Sequence, residues 1–352
     1  MKFIEEQGHA IVQHTTTKIS KVKFLLDAND NATSFVSGSW NASSNSVTLW
    51  NTNQEPSAKS SGIQKKYQLN VNADVNDIAT ISQTQFVVGL SNGDINVVSC
   101  DSEDKLSKTQ TYFAVHNKAA STAVCVVNNE IFSGSDTGTI VRISPTRKTK
   151  AISTLSTDLM GVNALTCCTE FQLVSAHTTG QMHLWDTRLS GKSAIAILGR
   201  IPAVTTLNDS LTSIGSHPAQ PNVIAFGTNS GSVSFIDIRR PDQDLPNLFK
   251  ICQEAVNLVI FHPVYTKNFF SSSDSGLIHW DASSMLDQPE ERDDEDAVDN
   301  IWLSGKMWNS IQLKALAEDD PKLISTFDVS QDSIIIGSNT ATLMLLNNIN
   351  FF

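Results

Sequence analysis

The sequence predicts an all-β fold in which seven similar hairpins build a closed ring of blades. Three observations lead to this prediction. A segment of common form recurs seven times, the copies have a nearly constant spacing, and the last copy ends close to the C-terminus. The stretches between copies leave room for further strands, so each hairpin would form the centre of a larger sheet.

Each copy of the repeated segment contains an apolar run, a cluster of small residues, a turn and a second apolar run. Several of the turns are Asn-Gly, Thr-Gly or Ser-Gly, because glycine accepts the positive φ that a tight hairpin needs. The alternation of apolar and polar residues on either side is typical of strands. The seven copies begin at Phe35, Phe86, Ile131, Leu173, Ile224, Phe269 and Ile334.

The spacing of the copies matches that of WD-repeat propellers, whose four-stranded blades recur every ~40–45 residues. The residues that end the second run lie 42 to 51 positions apart, except for a last interval of 66. These residues are Trp50, Val98, Ile143, Trp185, Ile236, Trp280 and Leu346. We therefore predict one seven-bladed WD-repeat β-propeller over residues 1–352. Its structural blade positions include Trp50, Trp185, Asp186, Asp237, Trp280 and Asp281.

The two ends of the chain are predicted to close the ring together. The last copy reaches Asn348, which leaves no room for a fourth strand in blade seven. The segment His9–Thr17 precedes the first blade and has no other assigned place. We expect it to pair with the last blade, because closure protects the strand edges that an open ring would expose.

The long last interval contains a strongly acidic insertion, residues 286–300, which we place between blades six and seven. Runs of like charge are usually solvated and mobile. We expect such a loop here, with an acidic contact for a basic partner as the alternative. Trp302 and Trp308 follow the insertion. Each is either a core residue or an anchor of an exposed protein interface.

Composition excludes several classes of function. The net charge of −11 argues against direct binding of nucleic acid, which needs clustered Lys and Arg. No apolar run is long enough for a membrane span, so we expect no membrane insertion. The five cysteines form no Cys-x-x-Cys pair and give no zinc signature. We therefore expect neither a metal nor another cofactor.

Catalytic motifs are also absent from the sequence. Asp136 and Asp274 begin Asp-Thr-Gly and Asp-Ser-Gly turns, which resemble the carboxylate pair of aspartic proteases. Both occupy the hairpin turn of a predicted blade, and blades three and six are not neighbours. Cys167 and Cys168 are adjacent on a strand and should face opposite sides. We therefore predict a protein that is not an enzyme, with structural roles for His177, His217 and His262.

A second hypothesis rests on two Asp-x-Arg endings in consecutive blades. Asp186 is followed by Arg188, and Asp237 is followed by Arg239. The pattern resembles the tandem WDxR boxes in substrate receptors of cullin-RING ubiquitin ligases. Arg188 and Arg239 could equally pair locally with the neighbouring aspartate on the propeller rim. The sequence leaves both interpretations open.

Four stretches give the chain a more specific resemblance. Lys18–Phe24, Phe35–Trp50, Gly180–Arg188 and Gly276–Ser283 read KISKVKF, FVSGSWNASSNSVTLW, GQMHLWDTR and GLIHWDAS. The order of HWDAS, a variable insertion and then Trp-Leu-Ser at Trp302–Ser304 is the most distinctive part. These features are similar to the small WD-repeat nucleoporin family of the Y-shaped scaffold complex of the nuclear pore.

The resemblance implies a non-enzymatic scaffold protein. Its partners would be a helical-solenoid nucleoporin of the Y complex and other members of that complex, with the chain as a single copy in a hetero-oligomer. The implied location is the nuclear envelope, at the nuclear pore complex, with the kinetochore as a further location in mitosis. The implied role is support of pore assembly and of mRNA and protein transport.

Overall fold

The structure is a computed structural model in which every described element is a β-strand. Among the residues described, 28 strands form seven four-stranded antiparallel sheets. No helix long and apolar enough to cross a bilayer occurs in this part of the chain. The described residues are 9–26, 32–52, 62–145, 152–157, 160–189, 194–198, 209–240, 248–285, 300–303, 311–317, 323–347 and 349–351.

The first three sheets follow one another along the chain, after an initial strand β1 (His9–His14). Blade one contains β2 (Lys18–Leu25), β3 (Ser34–Trp40), β4 (Asn45–Thr52) and β5 (Ile63–Val71). Blade two contains β6 (Val75–Ser82), β7 (Gln85–Leu90), β8 (Ile95–Cys100) and β9 (Leu106–Tyr112). Blade three contains β10 (Ser121–Val127), β11 (Glu130–Ser135), β12 (Thr139–Ile143) and β13 (Ile152–Thr157).

The remaining blades repeat this plan, with short outer strands in blades four and five. Blade four contains β14 (Val162–Thr169), β15 (Gln172–His177), β16 (Met182–Asp186) and β17 (Ala196–Leu198). Blade five contains β18 (Leu211–Ser216), β19 (Val223–Thr228), β20 (Ser232–Asp237) and β21 (Phe249–Lys250). Blade six contains β22 (Val256–Phe261), β23 (Asn268–Ser273), β24 (Gly276–Asp281) and β25 (Gln312–Ala317). Blade seven contains β26 (Ile324–Val329), β27 (Ile334–Ser338) and β28 (Thr342–Asn347).

The predicted closure of the ring is confirmed. Strand β1 pairs antiparallel with β28 and supplies the fourth strand of blade seven. The register runs from His9 opposite Asn347 to His14 opposite Thr342. The predicted segment, His9–Thr17, is therefore a strand only as far as His14. Residues 15–17 form the connection into β2.

The acidic segment has a different place from the one expected. Residues 286–299 lie outside the described residues, but their flanks lead from β24 to β25. Both strands belong to the sheet of blade six. The insertion therefore joins the third and fourth strands within blade six, not blade six to blade seven. The sequence hid β25 because residues 282–311 separate it from β24, so neither the repeat spacing nor a hairpin turn links it to blade six.

The first strands of the seven blades form a closed inner circle, in which each contacts the first strand of the next blade. Apolar side chains fill the space between neighbouring blades in seven separate clusters. Each cluster draws its residues from two adjacent sheets, so no blade completes a core by itself. The stability of the ring therefore depends on the junctions between blades.

A β-bulge occurs near the start of each inner strand. In every case, one residue is left out of the register with the second strand of the same blade. A bulge leaves this residue unpaired and turns it out of the ladder. All seven bulged residues are short and polar: Ser20, Asn76, Thr122, Asn163, Thr212, Asn257 and Ser325.

The bulged side chains join neighbouring blades by hydrogen bonds. Asn163 Nδ2 donates to the Leu211 carbonyl at 2.7 Å, and Asn257 Nδ2 donates to the Ile324 carbonyl at 2.7 Å. Both carbonyls belong to the first residue of the next inner strand. Four other bulged residues donate to the equivalent place in the next blade: Asn76 to Ser121, Thr122 to Val162, Thr212 to Val256 and Ser325 to Ile19. Ser20 donates to Gly38 within its own blade.

Small residues on the second strand make room for this junction. A Cβ atom added at Gly134 would lie 2.5 Å from Val162 Cγ1, and one added at Gly227 would lie 2.5 Å from Val256 Cγ1. Both valines are first residues of the next inner strand. The close approach therefore excludes a larger side chain at these glycines.

We expect loss of one bulge side chain to weaken the ring. Asn163→Ala removes the donor to the Leu211 carbonyl and should lower the free energy of unfolding by about 1–3 kcal/mol, because a buried acceptor loses its partner. Urea-induced unfolding of the purified protein measures the change. The control is Asn229→Ala, which alters an exposed turn residue and should change stability by less than about 0.5 kcal/mol. Equal effects of the two variants would contradict the role of the bulge.

Candidate functional site

The three predicted blade tryptophans are buried, and each forms a hydrogen bond with a serine. Trp50, Trp185 and Trp280 lie on the third strand of blades one, four and six and are 7%, 1% and 3% exposed. Each indole Nε1 donates to a serine Oγ on the second strand of the same blade. The pairs are Trp50–Ser37 at 2.8 Å, Trp185–Ser175 at 2.8 Å and Trp280–Ser271 at 2.9 Å.

The blades without tryptophan show why the serine is there. The residue at the serine position is apolar in blades two, five and seven, where it is Val88, Phe226 and Ile336. All three are fully buried. A buried indole N–H needs an acceptor, whereas an aliphatic third-strand residue does not. The serine therefore accepts the indole N–H in blades one, four and six, and an apolar residue replaces it in three of the four blades that lack the tryptophan.

Blades three and four extend the serine contact with histidine. In blade four, Ser175 Oγ lies 2.8 Å from His177 Nε2, and His177 Nδ1 lies 2.9 Å from the Met160 carbonyl. In blade three, Ser133 Oγ is 2.8 Å from His116 Nε2, although the third strand carries Ile143 there. The structure thus gives His177 a place in a buried chain of hydrogen bonds.

His217 and His262 occupy equivalent turns between the first and second strands of blades five and six. His217 Nδ1 accepts hydrogen bonds from the backbone N–H groups of Ala219 and Gln220. His262 Nδ1 accepts from those of Val264 and Tyr265. An Nδ1 that accepts must be unprotonated, so each ring is neutral in this arrangement. Burial lowers the pKa of both imidazoles to about 4.

The predicted aspartates close the ends of their strands. Asp186 Oδ1 accepts from the Arg188 backbone N–H at 2.9 Å and from Arg188 Nε at 3.0 Å. Hydrogen bonds from the Arg188 side chain lower the pKa of Asp186 to about 2. Arg239 repeats the arrangement with Asp237, with the same two distances. The two arginines therefore pair locally, and their side chains remain 63% and 54% exposed.

Asp281 has the same position in blade six but different partners. It accepts from the Ser283 backbone N–H at 2.9 Å and forms an ion pair with Lys314 at 3.1 Å. Hydrogen bonds from Ser283 and Lys314 outweigh burial, so the pKa of Asp281 is lowered. Lys314 lies on β25, so this ion pair fastens the outer strand of blade six.

Trp302 is placed in the core, which is the first of the two alternatives that the sequence left open. It is 1% exposed and packs against Phe235, Phe261 and Phe269, with ring centroids 5.1–5.8 Å away. It fills space between blades five and six and is not an exposed anchor. Trp308 lies outside the described residues.

Candidate catalytic residues stay apart. Asp136 and Asp274 lie in hairpin turns of blades three and six, which two further blades separate. Cys167 and Cys168 face different junctions. Cys167 Sγ lies 3.1 Å from Cys125 Sγ of blade three, whereas Cys168 packs toward blade five. Within the described ranges, no group of three or more His, Cys, Asp or Glu is placed to hold a metal ion.

The Trp–Ser hydrogen bonds predict that two substitutions have non-additive effects on the free energy of unfolding. Ser271→Ala alone leaves the Trp280 indole N–H without an acceptor and should cost about 1–3 kcal/mol of unfolding free energy. In a Trp280→Phe background the N–H is absent, so Ser271→Ala should cost clearly less. Urea unfolding of the wild type, both single variants and the double variant measures this coupling. Additive effects would show that the hydrogen bond contributes nothing.

The buried histidines predict a dependence of stability on pH. His116, His217, His262 and His279 have pKa values lowered by burial from 6.5 to about 4. Between these two values the unfolded chain binds more protons than the folded ring. Stability should therefore be fully present above pH 6.5 and fall as the pH drops toward 4.

Unfolding in urea at a series of pH values across this window measures the effect. The variant His217→Asn keeps an acceptor for the turn but does not titrate, so it should show a shallower decline than the wild type. The control is Asn229→Ala, which removes no titratable group and should leave the slope unchanged. A stability that is flat from pH 6.5 to 4 would contradict the prediction.

Comparison with known proteins gives two relatives, which align with the chain over similar lengths. The chain is 28% identical over 278 residues to a mouse (Mus musculus) protein named nucleoporin Nup43, which covers 73% of this chain and 70% of the mouse protein. It is 27% identical over 281 residues to the human (Homo sapiens) Nup43, with 74% and 71% coverage. No protein-family model matches the chain. The extent of both alignments agrees with the resemblance found in the sequence, and the chain is therefore a homologue of the nucleoporin Nup43.

Proposed function

We propose that the protein is a structural, non-enzymatic component of the nuclear pore scaffold. Homology to Nup43 across nearly three quarters of the chain is the observation that carries the proposal. The closed ring of seven blades supports it, because a rigid propeller presents fixed surfaces to protein partners. Membership in a nucleoporin complex at the nuclear pore follows from this role.

The finer part of the proposal concerns the partner. The propeller docks as a single copy on a helical-solenoid nucleoporin of the Y complex. Through that contact it supports pore assembly and the transport of mRNA and protein. Support comes from the blade-one and blade-six features that resemble the small WD-repeat nucleoporins, parts of which lie in β3, β4 and β24. A kinetochore location in mitosis remains a prediction from the resemblance.

Affinity purification of the endogenously tagged protein tests the proposal. We expect scaffold nucleoporins in near-equal amounts with the tagged chain, measured by quantitative mass spectrometry, and a signal at the nuclear rim by microscopy. Absence of nucleoporins and of the rim signal would overturn it. Recovery of a cullin adaptor in their place would favour the ligase-receptor hypothesis, and then Arg188→Glu with Arg239→Glu should abolish that recovery.

A further inference from the structure

The junction between blades seven and one contains a polar cleft. Its volume is about 260 Å³, and it lies between the closing strand β1 and the face of blade one. Hydroxyl groups line much of it: those of Thr15, Thr17, Ser37, Ser39, Ser46 and Thr48. Lys65 and His14 also line the cleft. The volume is below the ~300–1,000 Å³ of small-molecule pockets, so it suits one or two side chains of a peptide.

The equivalent space in blade four is filled. Ser37 and Thr48 of blade one pair in the same register as Ser175 and His183 of blade four. Two residues beyond the serine, blade one has Ser39 where blade four has His177. The rings of His177 and His183 pack against each other with centroids 4.3 Å apart. Small side chains at two positions of blade one therefore open a cleft that two imidazoles close in blade four.

The charge around the cleft is opposite to that of the whole chain. Residues 9–26, 32–52 and 62–71, which form the closing strand and blade one, contain five lysines and no Asp or Glu. The chain as a whole carries −11. Lys21 and Lys23 are paired with Asp77 and Asp328 of the neighbouring blades. Lys65 is exposed, and its Nζ contacts the side-chain amide of Gln68 at 2.5 Å.

The side chains that line the cleft can donate hydrogen bonds, so they suit a ligand group that accepts them. Ser37 Oγ already receives the Trp50 indole N–H, so its own proton is available to donate. Ser46 and Thr48 add further hydroxyl donors in the cleft. A carboxylate accepts several hydrogen bonds and is attracted by a lysine ammonium, whereas a cationic side chain would meet Lys65 with repulsion.

We propose that this seam cleft, defined by Ser37, Ser39, Ser46, Thr48 and Lys65, binds an Asp or Glu side chain from an extended acidic segment of a partner protein. This site would add a binding contact to the proposed function. The identity of the partner, a scaffold nucleoporin, rests on that proposed function. Hydroxyl groups and the Lys65 ammonium would surround the carboxylate. Because the cleft lies between two blades, the partner's acidic segment could reach it from the edge of the propeller. The attraction is screened by salt, so binding weakens as ionic strength rises.

Two variants test the cleft with purified full-length protein. Lys65→Glu reverses the charge that faces the ligand. Ser39→His with Thr48→His copies the pair found in blade four and fills the space with side chains that this fold already accommodates. The probe is a fluorescent twelve-residue peptide of alternating Glu and Gly, and its comparator has Gln in place of Glu. Fluorescence anisotropy at low salt measures binding, and urea unfolding establishes that each variant is folded.

We expect the Glu peptide to bind the wild type and the Gln peptide to bind at least tenfold more weakly. Both cleft variants should weaken binding of the Glu peptide at least tenfold, and Lys65→Arg should retain it. The matched control is Lys66→Glu, which makes the same charge change on the adjacent residue, outside the cleft lining. Undiminished binding by the histidine pair, or equal loss in Lys65→Glu and Lys66→Glu, would overturn the site.

The same variants in cells separate this inference from the proposed function. Loss of scaffold nucleoporins from the two cleft variants, but not from Lys66→Glu, would support the cleft as the nucleoporin contact. Full recovery with every variant would overturn that contact while the nuclear pore role stands. Absence of nucleoporins even with the wild type would overturn the proposed function and the named partner. The peptide titration would then still decide whether the cleft binds a carboxylate.

Discussion

The ring depends on the contact that each inner strand makes with the next. Near the axis the seven first strands converge, and at six junctions a carbonyl at the start of one strand accepts a hydrogen bond from the bulge of the preceding blade. A buried carbonyl without a partner destabilises a fold, so the junction has to supply a donor. The bulge turns a short polar side chain such as Asn163 or Thr212 out of its own ladder and toward that carbonyl. Longer side chains would not fit a gap in which Gly134 lies against Val162.

This constraint explains why the WD signature can be incomplete in a well-formed propeller. Trp185 and Ser175 satisfy each other inside one blade, and a blade with two apolar residues in their places is equally closed. In six of the seven blades the bulge cannot be exchanged in this way, because its hydrogen bond crosses to another sheet. Divergence in the third strand is therefore tolerated within a blade. Divergence at the bulge would affect the whole ring.

The sequence predicted the parts of the fold that have a periodic signal. The seven hairpins and the closure by the first strand follow from alternation, turn residues and spacing. The outer strands of blades four and five could not be found in this way, because Ala196–Leu198 and Phe249–Lys250 are too short to show alternation. The acidic insertion was misplaced for a different reason, because residues 282–311 separate β25 from the rest of its blade.

The bulge residues could have been found from the sequence, although their role could not. Pairs such as Val75-Asn76 and Val162-Asn163 recur ahead of each hairpin, yet a polar residue in a strand usually indicates a solvent-facing side. Only the register of the strands shows that these side chains turn toward another blade. The burial of Trp302 was likewise undecidable, because a tryptophan after a polar stretch fits a core or a surface equally well.

The closing junction differs from the others in how the chain reaches it. At most junctions both blades come from one continuous stretch, but blade seven meets blade one through strands from opposite ends of the chain. One part of this junction is apolar, with Ile19, Phe35 and Leu345 in one cluster. The other part is the seam cleft, which is lined by hydroxyl groups and is partly open. Closure rests on the apolar part of this junction and on the six residue pairs that β1 forms with β28. The cleft is therefore a place where polar groups that already serve the fold, such as Ser37, also face open space.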